Sequence, residues 1–156
     1  MSRAIVADGV DTIPRAREYE YAHVARGALI AAGIAACLNV LVYLAARAAG
    51  VAFTGRFNPA ATQTVIALTD VLGASIIWVV PASAGLLIFN HFMERPSRAF
   101  VRAATAFGLL SIAGPLTFPE ASLGTKLALA AMHVILTAAI VGAIGFWART
   151  RSIRVH

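Results

Sequence analysis

Charged side chains are scarce in this chain of 156 residues, where they make up 13% of the sequence against 60% hydrophobic residues. Soluble domains carry about 25% charged residues and about 45–50% apolar residues. The composition therefore excludes an ordinary soluble domain and predicts one polytopic membrane domain.

Cysteine and catalytic motifs are also nearly absent. Cys37 is the only cysteine, so neither an internal disulfide nor a Cys-x-x-Cys pair can form. The sequence contains no His-Glu-x-x-His motif, no Gly-x-Ser-x-Gly motif, no P-loop and no pair of carboxylates within an apolar run. Since these motifs carry the chemistry of common enzyme classes, we predict that the protein is not an enzyme and has no cofactor.

Long apolar runs are what the sequence does have. The run 127–148 holds no charged side chain between Lys126 and Arg149, and at about 1.5 Å per residue it is long enough to cross about 30 Å of hydrocarbon. We predict an all-α membrane protein, an antiparallel bundle of four transmembrane helices. The predicted segments are a tail with a short interfacial helix (1–26), four spans (27–46, 65–92, 97–116 and 127–148) and a basic tail (149–156).

The distribution of positive charge predicts the orientation. The N-terminal tail, the 94–102 turn and the C-terminal tail, which four spans place on one side, hold ten of the thirteen Lys and Arg residues. The other three are Arg47, Arg56 and Lys126. The positive-inside rule then predicts a multi-pass protein of the bacterial plasma membrane with both termini in the cytoplasm. Basic residues that flank spans in this way do not favour nucleic-acid binding.

A few polar residues lie within or beside the apolar runs. Counted along the helices, His133, Asn39 and Ser111 fall in one layer in the outer half of the bundle, and Thr137 lies one turn from His133. Asp70 is the acid nearest to an apolar run, and it is either a helix N-terminal residue or an ion ligand. These five residues are the candidate ligand-binding set.

Three interpretations of His133 stay open. In the first, it forms a hydrogen bond between helices, with Asn39 as the candidate partner. In the second, it binds a small molecule, lipid or proton. In the third, it is the single histidine ligand of a pigment or haem. Ionisable groups in hydrocarbon are costly and suggest function by default, although neutral histidine is among the cheaper ones. His91, the other histidine within a span, lies at the opposite membrane depth, which disfavours a haem held by two histidines.

Small residues predict where the helices pack, because close backbone approach supports helix association in lipid. The predicted packing positions are Ala28, Ala32, Ala35, Ala36, Gly108 and Gly142. This pattern favours a role in helix association, as an accessory or structural subunit of a membrane assembly, with the bilayer and a membrane protein or second copy as partners. The alternative is a binder or carrier that uses the polar layer.

Three short motifs carry a family resemblance. They are the end of span one from Asn39 through Arg47 to Gly50, the run Ser111-Ile-Ala-Gly-Pro115-Leu, and the pair Met132-His133. Together they resemble a family of small four-span bacterial membrane proteins, mainly actinobacterial, catalogued as a domain of unknown function. The resemblance extends over residues 26–149. It implies the four-helix membrane architecture and no particular activity.

Overall fold

A computed structural model describes residues 19–56 and 62–147 of the chain. Residues 1–18 of the predicted N-terminal tail and the basic C-terminal tail lie outside these residues, whereas residues 21–26 belong to the first long helix. Within them, four helices are long and apolar enough to cross a membrane, with mean hydropathies from 1.5 to 2.3: Tyr21–Ala48, Leu68–Phe92, Pro96–Leu116 and Leu123–Phe146. The predicted all-α arrangement of four membrane-compatible helices is therefore confirmed.

Three of the four spans are interrupted. The elements in chain order are α1 (Tyr21–Ala48), β1 (Thr54–Gly55), β2 (Thr64–Val65), α2 (Leu68–Ile77), α3 (Val79–Phe92), α4 (Pro96–Ser111), α5 (Ala113–Leu116), α6 (Leu123–Ala139) and a π-helical segment (Ile140–Trp147). Thus α2 and α3 form span two, α4 and α5 form span three, and α6 with the π segment forms span four.

Prolines account for two of the interruptions. Pro81 has no N–H to donate to the carbonyl of Ile77, and α2 ends at Ile77 with Trp78 between the two helices. Span two is therefore interrupted at this position. Ser83 does not compensate the freed carbonyl of Ile77, because its hydroxyl donates to the carbonyl of Val79 at 2.8 Å. In the same way, Pro115 follows the break between α4 and α5.

One face of α1 is buried against the other helices. Its buried residues recur at spacings of three and four: Val24, Gly27, Ala31, Ala35, Asn39 and Tyr43. Contacts with α6, the π segment, α2 and α3 surround this face, so α1 is the central packing element of the bundle. Of the predicted packing alanines, Ala35 lies on the buried face, whereas Ala28, Ala32 and Ala36 are half-buried beside it.

Tyr19 ties the start of the described chain to one end of the bundle. Its backbone N–H donates to Asn90 Oδ1 at 3.2 Å, and Asn90 Nδ2 donates back to the Tyr19 carbonyl at 2.9 Å. Its hydroxyl donates to the carbonyl of Gly145 in the π segment at 2.7 Å. The chain start, the α3–α4 turn and the end of span four therefore meet at one end, which we call the terminal end.

A compact cap covers the opposite end, which we call the loop end. β1 and β2 pair antiparallel, with Thr54 opposite Val65. Beneath them Phe53 is fully buried, and its ring centroid lies 4.5 Å from that of Tyr43. The ring of Phe118 packs so closely on Gly55 that a side chain at this position would collide with it. These contacts therefore hold β1 and β2 against α1 and the α5–α6 turn.

Candidate functional site

Two cavities in the described part of the chain are lined by predicted polar residues. The terminal-end cavity has a volume of about 470 Å³ and lies between α3, α4 and α6. The loop-end cavity has a volume of about 770 Å³ and lies between α1, α2, α5 and α6, below the cap. Three residues line both cavities: Trp78, His133 and Leu136. The two cavities are therefore neighbouring parts of one cleft, and His133 lies where they meet.

Aromatic side chains mark the mouth of the terminal-end cavity. Trp78, at the break in span two, and Phe107, on α4, have ring centroids 6.3 Å apart. Both rings line the cavity, and both residues are at least half exposed. The mouth is therefore bordered by exposed apolar side chains.

His133 bonds within its own helix. Its Nδ1 lies 2.8 Å from the carbonyl oxygen of Leu129, one turn earlier. A carbonyl only accepts hydrogen bonds, so Nδ1 carries the proton and Nε2 of the neutral ring is an acceptor. Among the residues that the structure describes, none bonds to Nε2. The expected pairing of His133 with Asn39 is therefore wrong, since the nearer carbonyl of the preceding turn takes the ring N–H.

Asn39 pairs instead with Ser75 on α2. Its Nδ2 donates to Ser75 Oγ at 2.9 Å, while the Ser75 hydroxyl donates to the Val71 carbonyl at 2.8 Å. Because the one hydroxyl proton is used on Val71, Ser75 Oγ must accept from the amide, which fixes the orientation of the Asn39 side chain. Asn39 is 3% exposed, and its Oδ1 is buried without a hydrogen-bond partner in the described part of the chain.

Ser75 was not among the residues predicted from the sequence. A signal was present, because Ser75 is an isolated hydroxyl in the apolar run of span two, one turn and a half past Asp70. The counting along the helix that predicts the depth of Asn39 also predicts a similar depth for Ser75.

The predicted polar layer is divided between the two cavities. Asn39 and His133 line the loop-end cavity, whereas Ser111, Thr137 and His133 line the terminal-end cavity. Ser111 donates its hydroxyl proton to the Gly108 carbonyl at 2.7 Å, and Thr137 donates to the His133 carbonyl at 2.8 Å. Both hydroxyls thus bond to their own helices, as Ser and Thr commonly do within helices.

Asp70 lies at the rim of the loop-end cavity. Its Oδ2 accepts a hydrogen bond of 2.8 Å from the backbone N–H of Ala67, at the start of α2. This is the geometry of a capping acid, which the helix dipole also favours. Of the two interpretations of Asp70, the structure supports the helix N-terminal one.

The two predicted packing glycines have different surroundings. Gly108 is buried on α4 and lies directly against the side chain of Thr137 on α6, where a Cβ atom would have no room. Gly142 is exposed, and nothing lies within 4 Å of the position that its Cβ would occupy. Close approach of spans three and four therefore takes place at Gly108. In the described ranges, no group of three or more His, Cys, Asp or Glu residues is arranged to hold a metal ion.

Comparison with known proteins places the chain in a family without assigning it an activity. No curated protein and no solved structure matches the sequence. A family model described as a family of unknown function, DUF6069, matches residues 20–151, which include all four spans and every residue of the two cavities. The chain belongs to this family of unknown function, DUF6069.

Proposed function

We propose that this protein binds a small, largely apolar molecule in the cleft between its spans. The observation that carries the proposal is His133, a half-buried histidine at the junction of two cavities, whose Nε2 has no partner among the described residues. Binding sites for small molecules are typically apolar cavities of about 300–1,000 Å³ with a few polar groups. Both cavities fall in that range.

The lining supports an apolar ligand that enters from the membrane. The terminal-end cavity is lined mostly by alanine, glycine and aromatic residues, and its mouth lies between Trp78 and Phe107. A chain of methylene groups fits such a wall by shape and by chemistry. If a pigment or haem bound instead, Nε2 of His133 would be the ligand atom, since metal-bound histidines commonly donate the other ring N–H to a backbone carbonyl. That stays a prediction, and visible absorption of the purified protein tests it.

Quenching of Trp78 fluorescence tests the proposal. The chain has two tryptophans, so a Trp147→Phe background leaves Trp78, which lines both cavities, as the fluorophore. Titration with the methyl ether of a dibrominated octadecyl alcohol, in phosphatidylcholine vesicles, should quench this fluorescence saturably. In the Gly85→Leu variant, which places a side chain in the terminal-end cavity, saturable quenching should be lost.

The control is Gly73→Leu. Gly73 is exposed, has open space around its Cβ position and does not line either cavity, so this variant should titrate like the parent protein. Quenching that rises linearly with probe concentration and is the same in all three proteins would show partition into the bilayer alone, and the proposed binding function would be wrong.

We propose helix association as a second function, with a membrane-protein partner or a second copy of this chain. The supporting observation is the outward face of α1, where Gly33 and Cys37 are both exposed one turn apart and nothing lies within 4 Å of the Gly33 Cβ position. Small residues at this spacing allow close approach of helices in lipid. An accessory role in a membrane assembly would use such a face.

Cys37 provides the test of association, because it is the only cysteine in the chain. Mild oxidation in native membranes should give a disulfide-linked dimer on non-reducing gels if two copies meet at this face. Gly33→Leu should abolish the dimer, whereas Gly73→Leu on α2 should not. If the protein remains monomeric on non-reducing gels after oxidation, self-association through the face of α1 that carries Gly33 and Cys37 is excluded.

We further propose that the protein lies in the bacterial plasma membrane with both termini in the cytoplasm. The asymmetry of Lys and Arg residues supports this orientation. The hydrogen bonds of Tyr19 to Asn90 and Gly145 are consistent with it, because they bring the start of α1, the end of α3 and the end of span four together.

A further inference from the structure

We propose that the loop-end cavity recognises an amphiphile whose polar end donates a hydrogen bond and carries no negative charge, such as a long-chain alcohol or amine. This inference rests on the proposed binding function and specifies the ligand. The polar end would lie beside Asn39 and His133, and the apolar chain would extend past Trp78 into the terminal-end cavity.

Two acceptors without a partner in the described part of the chain belong to residues that line the loop-end cavity. The first is Asn39 Oδ1, which is buried and has no partner in the described part of the chain. The second is His133 Nε2, which must be an acceptor because Nδ1 carries the proton. A buried acceptor without a donor is unfavourable, especially in hydrocarbon where water does not compensate for it. A hydroxyl or amino group in this cavity would supply the missing donor.

Ser75 does not change this conclusion. It already accepts from Asn39 Nδ2 and donates to the Val71 carbonyl, so its one proton is committed. It therefore offers a ligand no donor. The polar atoms that remain available around Asn39 and His133 are acceptors, which select a donating ligand rather than an accepting one.

The charges around the cavity disfavour an anionic headgroup. Asp70 lines the rim, and the other described lining residues include no lysine or arginine. A phosphate or carboxylate would be placed near a carboxylate with no cation to pair with it, which is unfavourable in a medium of low dielectric constant. An uncharged hydroxyl avoids this repulsion, and an ammonium group would be attracted by Asp70.

The experiment compares four probes of equal chain length on the Trp147→Phe protein in phosphatidylcholine vesicles. They are a dibrominated octadecyl alcohol, the corresponding amine, the methyl ether of the alcohol and the corresponding carboxylate. Each is titrated by quenching of Trp78 fluorescence. One hydrogen bond to a buried acceptor should make the alcohol bind about fivefold more tightly than the ether. The relative affinities of alcohol and amine then distinguish the two kinds of donor.

Two variants assign the preference to the acceptors. Asn39→Leu should reduce the preference for the alcohol over the ether, and saturable quenching by the ether shows that the variant is folded. His133→Leu should reduce the preference in the same way, and it provides the test if Asn39→Leu does not fold.

The outcomes separate this inference from the function on which it rests. Saturable and equal binding of alcohol and ether, blocked by Gly85→Leu, would overturn the donor preference and leave the binding function standing. Tightest binding of the carboxylate, or a preference for the alcohol that is undiminished in both variants, would also overturn it. Quenching that does not saturate with any probe would overturn both proposals.

Discussion

At the scale of single residues, the Asn39–Ser75 pair is the main polar contact between α1 and α2. The bond is buried, and only one half of the Asn39 amide is satisfied, because Oδ1 has no partner among the described residues. Side-chain hydrogen bonds between membrane helices contribute about 0.6 kcal/mol on average. A buried polar group left without a partner costs more, about 1–3 kcal/mol. The pair is therefore asymmetric, and its two residues should respond differently to mutation.

The first prediction is that Ser75→Ala destabilises the protein more than Asn39→Leu does. Ser75→Ala removes the acceptor of Asn39 Nδ2 and leaves the whole buried amide unpaired, so we expect a loss of about 1–2 kcal/mol. Asn39→Leu loses the same bond but also removes the unpaired Oδ1, and Leu is close to Asn in size. Its stability should stay within about 0.5 kcal/mol of the wild type. Thermal unfolding in detergent measures both differences.

The double variant is the control for this comparison. Once Asn39 is Leu, the Ser75 hydroxyl bonds only to Val71 on its own helix, so adding Ser75→Ala should cost little more. An Asn39→Leu variant that is less stable than Ser75→Ala would contradict the argument, since it would mean that Oδ1 makes a favourable bond in the membrane.

Depth along a span could be predicted at this scale, and side-chain partners could not. Rise per residue is uniform, so counting from Arg47 and Lys126 predicts a common depth for Asn39 and His133, and both residues line the loop-end cavity. The partner of a side chain depends on the direction in which the side chain leaves its helix, and this direction turns by about 100° from one residue to the next. For His133, the carbonyl of Leu129 also competes with residues of other helices for the ring N–H. This carbonyl lies one turn away on the same helix, so its position does not depend on how the helices pack.

At the scale of elements, α1 carries most of the packing in the bundle. Its buried face holds Ala31 and Ala35, both fully buried, whereas Ala32 and Ala36 are only half-buried. Alanines occupy so many positions of this helix that small residues alone do not select one face. The sequence prediction therefore found a stripe of small residues but centred it about one residue away from the buried face.

The second prediction is that Ala31→Leu destabilises the bundle by about 1–3 kcal/mol, because extra methylene groups in a filled space force neighbouring helices apart. Ala32→Leu should cost less, since Ala32 is half-buried. Ala45→Leu is the control on the same helix, because Ala45 is exposed. Thermal unfolding of the three variants tests the order. A larger loss for Ala32→Leu than for Ala31→Leu would mean that α1 is rotated from the orientation described here.

Proline breaks were predictable at the element scale, but the π segment and the β cap were not. Pro81 removes a specific backbone N–H, so an interruption near it follows from the sequence. No proline lies within Ile140–Trp147, and its glycines and apolar residues are equally suited to an α-helix. β1 and β2 have two residues each, too short for an alternating pattern, and their pairing depends on the burial of Phe53 by distant residues.

At the scale of the whole molecule, the two ends of the bundle differ in charge and in structure. The loop end is closed by the cap, where Arg56 donates its backbone N–H to the Pro119 carbonyl and its Nε lies 3.2 Å from a carboxylate oxygen of Glu120. A cation paired in this way attracts anionic lipid less than an unpaired one. At the terminal end, Arg95 lies on the α3–α4 turn, and Arg98 and Arg102 lie on the first turns of α4. All three are exposed. The difference in available positive charge is thus larger than the sequence count alone suggests.

The third prediction is that the terminal end faces the cytoplasm. A reporter fused after Gln63, which is exposed between spans one and two, should be active as a periplasmic alkaline phosphatase. Fusions after Glu94, on the α3–α4 turn, and after His156 should instead fluoresce as cytoplasmic green fluorescent protein. The physical reason is that arginine-rich segments next to the spans stay on the cytoplasmic side during insertion.

The Glu94 and His156 fusions control for each other, because four crossings require them to agree. If they disagree, one of spans three and four does not cross the membrane, and the interrupted α4–α5 span, with the lowest mean hydropathy of the four at 1.5, would be the one that fails.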